Sequence, residues 1–114
     1  MPELVELARL VGGSSCVSSD DGHAVYQRIA RSLAAHNEVV VSFAGIEDVT
    51  TAFLNAAIGK LYGDFSEDEI RALLRVENAE PDHLTLLKRV VDRAKDFFRD
   101  PPVYEAAVRA GIGE

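Results

Sequence analysis

The chain has no tryptophan, one cysteine (Cys16), one methionine and four prolines. One thiol leaves no intrachain disulfide, which makes a reducing cytosol and a cytoplasmic location the default expectation. No apolar run approaches the ~20 residues of a membrane span, so no transmembrane helix is expected. The first ten residues have neither a basic start nor a long apolar stretch, so no secretory signal is expected there. Basic residues are also scarce. Twelve Lys+Arg against nineteen Asp+Glu give a net charge of −7, which repels nucleic acid unless a local basic patch wins. The 114 residues suit one domain, and the 47% hydrophobic and 27% charged residues are ordinary for a globular protein.

Residues 4–11 read as a first strand, punctuated by Gly12-Gly13. Ser18 to Asp21 supply capping oxygens and acidic groups for a helix whose stripe is Val25, Ile29 and Leu33. His36-Asn37 ends it. Val39-Val40-Val41-Ser42-Phe43 is β-branched and apolar throughout, as in a central strand covered on both faces. Phe53, Leu54, Ala57, Ile58, Leu61 and Tyr62 predict a buried helix over 51–62, with Gly63 as its stop. Ser66 to Glu69 has the form of a capping box, opening a short helix before a strand at 73–77. Asp82 is read as the cap of the longest helix. Its stripe Leu84, Leu87, Val91, Ala94 and Phe98 is expected to pack on the sheet before Pro101-Pro102 stops it. The order of elements predicts an α/β fold: a mixed or mainly parallel sheet of three to four strands packed with about four helices. Residues 1–100 form the expected domain. Residues 101–114 are expected to form a tail that could make one short, Ala-rich docking helix.

The run from Val39 to Leu54 resembles the core of the STAS domain, the family of bacterial anti-sigma factor antagonists and of sulfate-transporter tails. That pattern is an apolar strand, a small-residue and Gly turn (Ala44-Gly45), and a polar pair opening a helix (Thr50-Thr51). A bacterial STAS-like group, classed as a domain of unknown function, is similar over a longer stretch, from about residue 4 to about residue 100. Leu10-Val11-Gly12, Gly22 through Tyr26, Thr51 through Gly59 and Leu86 through Val91 carry that similarity. The sequence departs from the STAS pattern in two places: Ser42 stands where an Asp often ends the central strand, and Thr50-Thr51 stands for Asp-Ser. The resemblance implies that Thr51 takes the place of the Ser phosphorylated in anti-sigma factor antagonists. It further implies partner switching with a histidine-kinase-type ATPase, docked on the loop and helix start from Gly45 to Asn55.

The residues themselves leave several readings open. Thr50 or Thr51 serves as a plain helix cap or as a phosphoacceptor, since phosphate is tolerated at a helix N-terminus. Glu47-Asp48 reads first as two solvated turn charges, and less readily as an acid/base pair or hard-metal site. Asn55 belongs to the expected contact surface. His23, His36 and His83 stand at no metal-motif spacing, and Cys16 lacks a cysteine partner, so Cys16 reads as a structural thiol. Gly12-Gly13-Ser14-Ser15 lacks the Walker spacing and reads as a turn or bulge. Lys88, Arg89, Arg93 and Lys95 interleave with Asp92 and Asp96, as on a salt-bridged wet face. No paired nucleophile and base, metal cage or phosphate cradle is legible. The expectation is therefore a non-catalytic regulatory module without cofactor. The alternative is a small-ligand domain holding a nucleotide or anion at the same helix N-terminus.

Overall fold

The computed structural model describes residues 2–99, so the tail from 101 to 114 lies outside the described residues. Three parallel strands, β1 (Glu3–Glu6), β3 (Val39–Ser42) and β5 (Leu74–Glu77), pair in the order β1-β3-β5. The β-branched run is thus central, as expected, with Val39 and Val41 fully buried. A second, two-stranded parallel sheet joins β2 (Ser15–Cys16) to β4 (Asp48–Val49).

The strand expected over 4–11 is cut short. Glu3 to Glu6 pair with Val39 to Ser42, and β3 ends there. Without further partner backbone the chain coils into α1 (Leu7–Val11), closed by Gly12 in the left-handed conformation at φ +73°, whose N–H bonds the Ala8 carbonyl. Helix α2 (Ser19–Ala34) begins as its composition predicts: Ser18 accepts the Asp21 N–H at 3.0 Å. It closes in a Schellman motif, with His36 at φ +60°, His36 N–H on the Leu33 carbonyl and Asn37 N–H on the Ser32 carbonyl. Arg28 and Ser32 on this helix both donate to the Glu3 carboxylate, fastening α2 to the sheet edge. These bonds, Ser32's first, hold the Glu3 carboxyl below its ordinary range.

The helix expected over 51–62 is three pieces: α3 (Thr51–Leu54), a π-helical turn (Asn55–Gly59) and α4 (Leu61–Asp64). Gly63 does not stop it. It lies inside α4, where a Cβ would come within 2.7 Å of the Phe98 ring, and the chain leaves helical geometry at Phe65. Ser66 and Glu69 form both bonds of the capping box for α5 (Glu67–Leu73).

Helix α6 (Pro81–Arg99) corrects two expectations. Its first turn bonds back to Glu80 (Leu84 N–H to the Glu80 carbonyl, 2.9 Å), so Asp82 lies within the first turn and Pro81 takes the first helical position. Its buried face is also rotated from the expected stripe. Leu84 and Phe98 are 47% and 42% exposed, Leu87 and Val91 are half-buried, and His83, Val90 and Ala94 are buried. The helix rests chiefly on α3, the π turn and α4 instead of on the sheet. Lys88 and Asp92 pair at 3.0 Å on its outer side, as the charge interleaving predicts.

Candidate functional site

The loop after β3 turns sharply. Ile46 N–H bonds the Phe43 carbonyl at 2.9 Å, and Gly45 takes φ +80°, the conformation a type II turn requires at its third position. Ser42, where the STAS pattern often has Asp, does structural work: its Oγ accepts from Ala44 N–H at 3.2 Å and from Asn78 Nδ2 at 3.1 Å, tying the ends of β3 and β5 together. The loop is then stitched to residues 14–17. Glu47 N–H bonds the Ser14 carbonyl, Thr50 N–H bonds the Cys16 carbonyl, and Ser15 Oγ donates to Asp48 Oδ2 at 3.2 Å. The stretch Gly12 to Ser15, read as a turn or bulge, thus leads into a strand whose partner is 33 residues away.

The two threonines divide their tasks. Thr50 is the cap: its Oγ1 accepts the Phe53 N–H at 3.2 Å and donates to the Val17 carbonyl at 2.8 Å. Thr51 is the first helical residue, exposed, and its hydroxyl makes no hydrogen bond among the described residues. Thr50→Ala should therefore lower the unfolding free energy by about 1 kcal/mol, while Thr51→Ala leaves it within a few tenths. Urea denaturation midpoints of the two variants check this, and equal losses would refute the division of roles.

Glu47, Asp48 and Thr50 line an open groove of about 650 Å³ whose far wall is the first turns of α6, with Glu80, Asp82 and Arg89. His83 lies between the walls. Its Nε2 donates to the Glu47 carbonyl at 3.1 Å and its ring rests on Phe43, centroids 6.1 Å apart. Asn55 is elsewhere. It opens the π turn and faces a separate apolar groove with Lys60, Phe97 and Phe98. The structure thus brings Glu47, Asp48 and Thr50 together and separates Asn55 from them. His83, Glu80 and Asp82 join the site although no spacing in the sequence connects them to residues 47–50; only the first-turn acidity of α6 hinted at them.

The groove's charge is one-sided: four carboxylates stand against one guanidinium. That disfavours phosphate, and α3 offers a nucleotide little, being four residues long with its Phe53 N–H already taken by Thr50. Cys16 is fully buried. Desolvation first, and Asp21 second, push its thiol up to about 11, so it is a poor nucleophile near neutral pH. Among the described residues no group of three or more His, Cys, Asp or Glu is placed to hold a metal ion, and no helix is long and apolar enough to cross a membrane.

A parallel α/β core whose central strand leads through a Gly turn to a Thr-capped helix is the arrangement expected of a STAS-like domain. The chain belongs to that family. The family model for the STAS-like domain of unknown function (DUF4325) matches residues 21–84, more than half of the chain, from the first turn of α2 to the first turn of α6. No curated protein and no solved structure shows significant similarity to the chain.

Proposed function

We propose that this domain is a non-catalytic regulatory module of partner-switch type that docks a protein, a histidine-kinase-type ATPase, on the segment from Gly45 to Thr51 and the adjoining groove. One observation carries the reading: Thr51 is exposed, heads its helix and has an unengaged hydroxyl, while Thr50 alone does the capping. A hydroxyl so placed is open to modification at little structural cost. Phosphate there adds about −1.5 to −2 charges beside Glu47 and Asp48, enough to change the affinity of a charged partner. Glu47 is an exposed loop charge, Asp48 is an exposed residue of β4 whose carboxylate accepts from Ser15, and Cys16 is sealed in the core.

Thr51→Glu is the test. With a histidine-kinase-type ATPase as partner, calorimetric titration should show weaker binding by about tenfold, which is ~1.4 kcal/mol. The melting temperature should be nearly unchanged, because the side chain touches no core. Unaltered affinity, together with an interface mapped to another face, would overturn the reading.

A further inference from the structure

The apolar groove between the π turn and the end of α6 has a volume of about 240 Å³. Gly59 and Ala94 are buried and meet there. Phe97 and Phe98 line it at 41% and 42% exposure, their rings edge to face with centroids 4.8 Å apart. Two adjoining rings beside an apolar groove form one patch, and such a patch marks a contact surface. The charged side chains lining the groove are both basic: Lys60, whose ammonium stands 5.2 Å over the Tyr26 ring, and Arg93. The surface therefore suits an apolar strip edged by a carboxylate. The chain carries such a strip within reach. Helix α6 ends at Arg99, and Pro101-Pro102 cannot prolong it. In residues 103–112, Tyr104, Ala107, Val108, Gly111 and Ile112 fall at the spacing of one helix face, with Glu105 at its flank. Glu105 and Arg109 are four apart, in the order that supports a helix. So short a helix is marginal in water by itself and needs a surface to fold on. Along α6, Ala94 is only about 7–8 Å from Arg99. Residues 100–102 can span up to about 10 Å, enough to bring the strip back over the groove.

We propose that residues 103–112 fold back as a short amphipathic helix and cover this groove, with Tyr104 and Val108 against Gly59, Ala94 and Phe98 and with Glu105 toward Lys60 and Arg93. The chain's own segment is favoured over a second copy because a tether of three residues holds it at a roughly millimolar effective concentration. Apolar burial is the driving force; the Glu105 contact at the open rim sets direction more than strength and weakens with salt. The groove is lined by none of the residues that line the one beside Thr50, so the proposal stands apart from the docking reading above.

Nuclear Overhauser spectra of the full, isotope-labelled chain are the test. The Tyr104 ring and the Val108 methyl groups should give cross-peaks to Gly59 and Ala94, unchanged on dilution. Tyr104→Ser with Val108→Ser should abolish those cross-peaks and shift the amide signals of Gly59, Lys60 and Ala94, while the signals of the sheet stay in place. The spectrum of the unaltered chain decides by itself if that variant folds poorly. Cross-peaks that appear between labelled and unlabelled chains in a mixed sample would mean that a second copy fills the groove, and would overturn the proposal. So would contacts of residues 103–112 around Phe65 and Glu67. Absence of any contact between these residues and the groove would also overturn it, leaving the patch to a separate partner. None of these outcomes bears on Thr51→Glu, whose effect on ATPase binding tests the docking reading alone.

Discussion

Phe53→Ala should lower the unfolding free energy by about 3–5 kcal/mol. Phe53 is 1% exposed and among the largest fully buried side chains, on the short helix between α2 and α6. Its truncation removes apolar contact and leaves a cavity that neighbouring rigid helices cannot fully close. Domains of this size hold a total of only about 5–15 kcal/mol, so the variant approaches the threshold of folding. The urea midpoint should fall sharply with an unchanged slope, which marks lost stability and not a changed unfolded state. A midpoint nearly that of the parent chain would mean that the α2–α3 contact is not the core of this domain. Phe53 stands two residues after Thr51, so lost partner binding in this variant reports folding and says nothing of the docking surface.

Gly22→Ala should be destabilising by about 1–3 kcal/mol, against the usual sense of that substitution. In a helix interior alanine is normally better than glycine by ~0.8–1 kcal/mol. Here the added Cβ would sit 2.5 Å from the Phe53 carbonyl oxygen and 2.8 Å from the Ala56 Cβ. Neither is the far end of a flexible side chain, so two helices must separate to admit one methyl group. Gly59→Ala is the control. Its Cβ meets nothing closer than 3.5 Å, and it should be neutral or mildly stabilising. Thermal melts of the two variants give opposite signs if the close approach of α2 to the π turn is as described; the same sign in both would refute it.

Much of this architecture is local chemistry and is legible in the chain. Val25, Ile29 and Leu33 recur with the period of one helix face, and all three are fully buried. Ser66 and Glu69 are three apart, the separation at which their side chains reach each other's backbone N–H, and they do. The run from Val39 to Val41 can only be stable with cover on both sides, and it lies between two strands. The Thr50-Thr51 pair is legible as a helix start, but not which of the two caps it. That is decided by the Val17 carbonyl, which binds the Thr50 hydroxyl from across the second sheet.

Tertiary contacts decided the rest. Residues 4–11 carry apolar positions that suit a strand or a helix; the end of β3 at Ser42 removes the pairing and lets Leu7 begin a helix. On α6 the hydrophobic period runs through Leu84 and Phe98, but the buried line runs through His83, Val90 and Ala94, because α3, the π turn and α4 set the side from which that helix is covered. Asn55 is four residues from Thr51 in sequence yet faces another groove, while His83 bonds Glu47 across 36 residues. Helical period, strand alternation and caps are set by neighbours a few residues apart, so the sequence alone determined α2, β3, α5 and the family, while the break of residues 4–11 into a strand and a helix waited on the packing. The groove joins a loop to a helix start through bonds between distant residues, a pairing that no local spacing encodes and that only the packing of the helices brings about.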